Sequence, residues 1–90
     1  ETLYTPGHAP GHLSFYMREG NLVFSGDCLF AGSIGRTDLP GGDYELLMQS
    51  IFGKLLPLGD DTQVLAGHME PTTIGKERAT NPFLLEYAER

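Results

Sequence analysis

Three residues of metal-ligand type lie in glycine-containing turns that adjoin apolar runs of this chain. They are His8, Asp27 and His68. A neutral imidazole or a carboxylate can bind a divalent transition metal, and imidazole does so without adding charge. Each residue has an ordinary alternative, since turn histidines are often only exposed and Asp27 can close a strand as an Asx turn. Asp27 and His68 follow predicted strands, where α/β sheets place their sites, so together the three predict a metal centre.

The elements that would position these residues follow from hydrophobic periodicity and from glycine and proline punctuation. Alternating or apolar runs predict strands over residues 12–17, 21–25 and 62–66, and a loop over residues 28–42. Asp43 is a helix cap before an amphipathic run to about residue 56, which Pro57 and Gly59 stop. Thr72 or Thr73 caps a short helical turn toward residue 79, and Asn81 with Pro82 opens a last helix. This order predicts an α/β layer.

Composition limits the function classes. The 90 residues make one small domain with 12 acidic and 6 basic side chains and a formal charge of −6, which disfavours nucleic-acid binding. No segment reaches the roughly 20 apolar residues that span a bilayer, so no membrane association is expected. The single cysteine, Cys28, cannot form an internal disulfide, so we expect a reducing compartment such as the cytoplasm. Its alternation with Asp27 predicts a buried core cysteine, not a thiolate ligand.

Four segments together resemble one known family. They are Thr5-Pro-Gly-His-Ala-Pro-Gly-His12, Phe24-Ser-Gly-Asp-Cys28, Gly35-Arg-Thr-Asp-Leu39 and the stretch from Gly67 to Leu84. Their order and spacing resemble the metallo-β-lactamase superfamily, specifically its glyoxalase II-like hydrolases, over nearly the whole chain. The resemblance implies half of an αββα sandwich, with one mostly antiparallel sheet and helices on one face. Residues 1–90 would form a single partial domain equivalent to the C-terminal half of that fold.

The resemblance also implies roles for individual residues. His8 would bind the first metal, Asp27 would be the catalytic carboxylate that bridges two metals, and His68 would bind the second. His12 would be a neighbouring histidine that supports the ligands. The family's His-x-His-x-Asp-His signature is absent from this sequence, and Met69 stands where relatives usually have glycine. The expected cofactor is zinc, two ions per intact site with iron or manganese as alternatives, bound weakly or not at all by the isolated chain.

The implied reaction is hydrolysis of a glutathione thioester by water that the metals activate. The departing thiol has a pKa of about 8.5, so it needs little help from a general acid. Arg36, Lys76 and Arg78 are candidates to bind substrate carboxylates, with surface ion pairing as the alternative. Two other functions stay open, an iron-dependent persulfide dioxygenase of the same superfamily and a non-catalytic remnant. Because half a sandwich leaves an apolar sheet face uncovered, we expect either a homodimer or a missing N-terminal half, and no activity from these residues alone.

Overall fold

Seven strands and three α-helices form within residues 1–67 and 69–90, which the computed structural model describes. The strands are β1 (Thr2–Tyr4), β2 (Leu13–Met17), β3 (Leu22–Gly26), β4 (Leu29–Phe30), β5 (Ser33–Ile34), β6 (Gln63–Ala66) and β7 (Thr72–Thr73). The helices are α1 (Tyr44–Ser50), α2 (Ile74–Thr80) and α3 (Pro82–Ala88). None of the described helices is long and apolar enough to cross a membrane. His68, the third predicted ligand, lies outside the described residues.

Five strands form one sheet in the order β1-β2-β3-β6-β7. The β3–β6 pair is parallel and the other three pairs are antiparallel, which confirms the predicted, mostly antiparallel sheet. In this topology the C-terminal ends of β1, β3 and β6 lie at the same edge. The turns that follow these three strands therefore meet at one edge of the sheet, although they are far apart in sequence.

One face of the sheet packs against the helices and the other is open. On the packed face, Tyr16, Val23 and Val64 are buried. Large apolar side chains on the opposite face are 41–54% exposed, and we call this surface the open sheet face: Tyr4, Leu13, Phe15, Met17 and Phe24. The antiparallel register places Phe15 opposite Phe24, so these side chains form a contiguous apolar surface. The expected arrangement of helices on one face is confirmed.

The predicted amphipathic helix forms, but only its first part is α-helical. Asp43 caps α1 by accepting a hydrogen bond from the Leu46 amide at 3.0 Å. After Ser50 the chain continues as a wider π-helical turn (Ile51–Leu55) and then a 3₁₀ turn (Leu56–Leu58). The side chains that face the sheet, Leu47, Ile51 and Leu55, are fully buried as predicted.

The loop predicted over residues 28–42 contains regular structure that the sequence pattern did not reveal. Leu29 pairs with Ile34 and Phe30 pairs with Ser33, forming the β4–β5 hairpin. Each strand has only two residues, too short to produce a recognisable alternation. Toward the C-terminus, Thr73 caps α2 and Asn81 caps α3, which confirms both predicted helix starts.

Candidate metal centre

His8 and Asp27 meet at the edge of the sheet where β1 and β3 end. The Nε2 atom of His8 lies 3.6 Å from Oδ2 of Asp27, and the two side chains are 25% and 44% exposed. The turn that carries His8 is fixed against α1, because the Asp43 amide donates a 2.7 Å hydrogen bond to the Gly7 carbonyl. A β-carbon on Gly7 would overlap the backbone of Leu47, so only glycine permits this approach.

The hydrogen bond of the other His8 ring nitrogen determines which nitrogen can bind a metal. Nδ1 lies 2.9 Å from the backbone oxygen of Arg36, and a carbonyl can only accept, so Nδ1 carries the hydrogen. In the neutral ring, Nε2 then keeps its lone pair and faces the Asp27 carboxylate. Metal-ligating histidines commonly have this arrangement, in which the second nitrogen donates to a carbonyl. The pair therefore fits a divalent cation by the chemistry of its donor atoms.

Two backbone segments approach Asp27 closely, because Gly35 and Gly67 have no side chains to occupy the space beside it. Gly67 donates a 2.9 Å hydrogen bond to the Gly26 carbonyl, and a β-carbon on Gly67 would lie 3.3 Å from Oδ1 of Asp27. A β-carbon on Gly35 would overlap the Asp27 backbone oxygen. The end of β6 thus reaches Asp27, as the parallel β3–β6 pairing requires. The predicted ligand His68 follows Gly67 but lies outside the described residues. In the described part of the chain, no group of three His, Cys, Asp or Glu side chains could hold a metal ion.

His12 contacts the turn that presents Asp27. The Asp27 amide donates to Nε2 of His12 at 3.3 Å, so Nδ1 carries the ring hydrogen and faces the Thr5 hydroxyl at 3.0 Å. That hydroxyl lies 2.8 Å from the hydroxyl of buried Ser14. Burial lowers the pKa of His12 below its ordinary value of 6.5, and the neighbouring His8 lowers it further. Because Nε2 accepts from the Asp27 amide, the ring in this arrangement supports the Asp27 turn as a hydrogen-bond acceptor.

A pocket of about 230 Å³ opens beside His8 and Asp27. Its described lining is formed by His8, Asp27, Phe30, Ile34, Gly35 and Arg36. Phe30 and Ile34 belong to the β4–β5 hairpin, so this hairpin supplies an apolar wall opposite the polar pair. The guanidinium of Arg36 makes two hydrogen bonds to Asp38, at 2.9 and 3.0 Å, and these hold the pKa of the Asp38 carboxyl below its usual range. Arg36 thus reaches the pocket with its charge already paired.

The other two predicted basic residues lie on α2, apart from this pocket lining. Arg78 pairs with Asp60 at 2.9 Å and donates to the Leu56 carbonyl at 3.0 Å. Lys76 is exposed, and its backbone amide donates to the Thr73 hydroxyl that caps the helix. The arrangement of Arg78 is that of a surface ion pair. Substrate binding by Lys76 and Arg78 stays a prediction.

Sequence reasoning missed Glu77, whose side chain is only 1% exposed. Its carboxylate accepts hydrogen bonds from the Gly32 amide, the Asn81 side chain and the Thr72 hydroxyl. A glutamate between a lysine and an arginine is typical of a solvated helix face, so its sequence neighbours do not predict burial. The available signal was helical spacing, since Glu77 follows fully buried Ile74 by three residues and shares its face.

Several known proteins are similar to this chain in sequence and in fold. A family model described as the metallo-beta-lactamase superfamily matches residues 1–68. Hydroxyacylglutathione hydrolase GloC of Haemophilus influenzae is 57% identical over 84 residues, which make up 93% of this chain and 40% of that protein. The crystal structure of TTHA1623 in a di-iron-bound form superposes with a TM-score of 0.89 at 54% identity, covering 93% of this chain and 42% of that one.

A third neighbour covers the entire chain. It is ETHE1 from Myxococcus xanthus, with a TM-score of 0.86 and 31% identity over 100% of this chain and 44% of that one. The predicted metallo-β-lactamase-type fold is confirmed by these superpositions. The chain spans about two fifths of the length of the relatives it matches.

Proposed function

The chain belongs to the metallo-beta-lactamase superfamily, and on that premise we propose that it forms the ligand-bearing part of a metal-dependent hydrolase of glutathione thioesters. The observation that carries the proposal is the His8 and Asp27 pair, 3.6 Å apart, with Nδ1 of His8 engaged by the Arg36 carbonyl. Identity of 57% to a protein named hydroxyacylglutathione hydrolase supports the substrate class. Because the chain spans 40% of that relative, the activity is proposed for the gene product at its natural length.

We assign metal binding to His8, Asp27 and His68. When bound, the metal ions supply Lewis-acid activation of water and of the substrate carbonyl. The hydrogen bond from Nδ1 to the Arg36 carbonyl leaves Nε2 of His8 directed toward Asp27, where it would be available to a metal ion. The approach of Gly67 to Asp27 supports His68 as the third ligand, since His68 is the next residue. Zinc is the proposed metal, and iron is the alternative that the di-iron-bound relative favours.

The pocket suits a thioester whose carbonyl lies at the His8 and Asp27 end. Phe30 and Ile34 form an apolar wall for the acyl or thiol portion. The thiol that departs has a pKa of about 8.5, so cleavage at neutral pH needs no acidic side chain to protonate it. Arg36 lies beside the pocket, and a substrate carboxylate would share its guanidinium with Asp38.

The open sheet face supports a proposal about assembly. An apolar surface formed by Tyr4, Leu13, Phe15, Met17 and Phe24 is more extensive than scattered exposed apolar residues, and such patches mark contact surfaces. We propose that the remainder of the superfamily domain packs on this face in the natural gene product. In the isolated 90-residue chain, a second copy would take its place through the same face.

The test uses the gene product at its natural length. We expect zinc or iron to copurify and a glutathione thioester such as S-lactoylglutathione to be hydrolysed. Asp27→Asn and His8→Ala should each abolish turnover and reduce metal content. Glu86→Gln is the matched control, because Glu86 is an exposed carboxylate paired with Arg90 on the surface, and it should retain both properties.

Three outcomes separate the candidate functions. Thioester hydrolysis that depends on Asp27 supports the proposal. Oxygen uptake with glutathione persulfide and iron, without thioesterase activity, would instead establish the dioxygenase. A folded protein with neither activity and no bound metal would establish a non-catalytic remnant.

Zinc affinity should also be weaker at about pH 5 than at about pH 7.5, because the imidazoles of His8 and His68 must be neutral to bind the ion.

A further inference from the structure

We infer that Glu77 is a positioning residue for the proposed site, through which α2 fixes the pocket wall and the segment that begins β7. Its side chain is buried at 1% exposure beneath the β4–β5 hairpin. Oε1 accepts from the Gly32 amide at 2.8 Å and from Nδ2 of Asn81 at 2.9 Å. Oε2 accepts from the Thr72 hydroxyl at 2.6 Å. A buried carboxylate with three uncharged donors is a fixed junction between separate segments.

The side chains of Glu77 and Asn81 both hold the turn of the hairpin. Gly32, whose φ of +77° favours glycine, donates its amide to Glu77. The next residue, Ser33, accepts a 3.1 Å hydrogen bond at its carbonyl from Nδ2 of Asn81. The same Nδ2 also donates to Glu77, so the two side chains act as one unit. Since β4 and β5 have two residues each, the hairpin has few hydrogen bonds of its own. Buried Leu29 packs its base into the core, and the Glu77 and Asn81 unit holds its turn.

The position of the hairpin decides the geometry of the site. Phe30 of β4 and Ile34 of β5 line the pocket. The chain leaves the hairpin through Gly35, whose amide donates to the Cys28 carbonyl at 3.2 Å. It then reaches Arg36, whose carbonyl accepts from Nδ1 of His8. A shift of the hairpin therefore changes both the apolar wall and the carbonyl that orients His8.

The third hydrogen bond of Glu77, from Thr72, connects the carboxylate to the strands on the other side of the site. Thr72 opens β7, which pairs with β6, and the end of β6 lies against Asp27. Thr72 is thus anchored to the same carboxylate that holds the hairpin. Glu77 is not among the described residues that line the pocket, so its effect on the site is indirect, through the hairpin and through β7, which pairs with β6.

A glutamine at this position offers a conservative replacement. Its carbonyl can accept from Gly32 and Asn81, and its amide can donate to the Thr72 oxygen, because a hydroxyl both donates and accepts. Leucine has a similar size but would leave the Gly32 amide without its side-chain acceptor and Nδ2 of Asn81 with the Ser33 carbonyl alone. Thr72→Val removes only one of the three hydrogen bonds with little change of shape. These three variants separate the hydrogen bonds from the volume of the side chain.

The inference rests on the proposed function, so the experiment uses the natural-length gene product loaded with Co²⁺, whose visible absorption reports ligand number and geometry. We expect Glu77→Leu to change this spectrum and to weaken Co²⁺ binding by about 10-fold or more, the usual effect of losing support for a metal ligand. It should also raise KM for the thioester more than it lowers kcat, because the pocket wall moves. Glu77→Gln should restore the wild-type spectrum and KM, and Thr72→Val should give a smaller shift in the same direction.

Two controls distinguish positioning from a general loss of stability. Ile51→Val destabilises the core under α1 and should lower the melting temperature without changing the Co²⁺ spectrum or KM. Glu86→Leu removes an exposed carboxylate paired with Arg90 and should change neither the Co²⁺ spectrum nor KM. A wild-type spectrum and KM in Glu77→Leu would overturn the inference. If that variant does not fold, Thr72→Val decides, and a lowered melting temperature with unchanged spectrum and KM would overturn it. Failure of the wild-type protein to bind Co²⁺ or hydrolyse thioesters would count against the proposed function instead.

Discussion

The backbone amide of Asp27 donates to the imidazole of His12 across 3.3 Å, and the ring occupies the space that a side chain on Gly26 would fill. A β-carbon built on Gly26 would lie 2.7 Å from Nε2 of His12. Gly26 also has a φ of +57°, a conformation that favours glycine. The direction of the Asp27 carboxylate thus depends on a histidine 15 residues earlier in the chain.

Gly26→Ala should therefore destabilise the fold. We expect a loss of about 1–3 kcal/mol in the free energy of unfolding, from the left-handed backbone and the contact with His12 together. Denaturant unfolding of the metal-free protein measures it. Gly11→Ala is the matched control, because nothing lies within 4 Å of a β-carbon there, and it should be close to neutral. Equal stability of the two variants would contradict the described turn.

His12→Ala should weaken both the fold and metal binding. The change leaves the Asp27 amide and the Thr5 hydroxyl without their imidazole partner, a loss of about 1–3 kcal/mol of stability. Metal affinity should fall about 10–100-fold, since the ring supports a proposed ligand. Isothermal titration with zinc checks the affinity. Tyr4→Phe, which removes an exposed hydrogen bond to the Pro10 carbonyl of the same turn, should leave zinc binding unchanged.

Met69→Gly should stabilise the chain. Met69 has a φ of +75°, a left-handed conformation that is unfavourable by about 1–2 kcal/mol for a residue with a side chain. The greater flexibility of glycine in the unfolded chain offsets part of this, so the expected net gain is about 0.5–1 kcal/mol. A higher melting temperature for Met69→Gly than for the wild type would show this gain. Met69→Leu retains the strain and should melt with the wild type, whereas a destabilised glycine variant would argue against the positive φ.

Cys28 should resist alkylation in the folded protein. Burial raises the pKa of its thiol from an ordinary value of 9.0 to about 12, so the reactive thiolate is scarce in the native state at mildly alkaline pH. Since the unfolded chain releases this proton first, the associated stability is complete below pH 9.0 and is lost as the pH rises toward about 12. Iodoacetamide labelling followed by mass spectrometry tests it. Labelling as fast as in guanidinium chloride would refute the burial of the thiol.

The isolated 90-residue chain should associate through its open sheet face. Phe15→Glu places a charge at the centre of that face, opposite Phe24, and should shift the dimer toward monomer in light scattering. Leu85→Glu is a suitable control, because Leu85 is exposed to a similar degree on α3. A wild-type chain that remains monomeric at high concentration would count against this surface as a contact region.

The sequence predicted the features that local chemistry determines. Glycine and proline marked the turn that carries His8, and Asn81 with Pro82 marked the start of α3, because turns and caps depend on neighbouring residues. The features that the sequence does not predict depend on tertiary contacts. Strands of two residues have no detectable period, so the sequence pattern predicts a loop where the β4–β5 hairpin forms. Burial of Glu77 depends on donors from Gly32 and Thr72, which no local pattern reveals.

The parallel pairing of β3 with β6 has a consequence for folding. It joins strands separated by the whole stretch from the Asp27 turn to Gln63, including a hairpin and a helix. Closing so long a segment is entropically costly and slow compared with forming the neighbouring β2–β3 hairpin. The edge where Asp27 and Gly67 meet can therefore assemble only late, and acquisition of metal by refolding protein would report completion of the native topology.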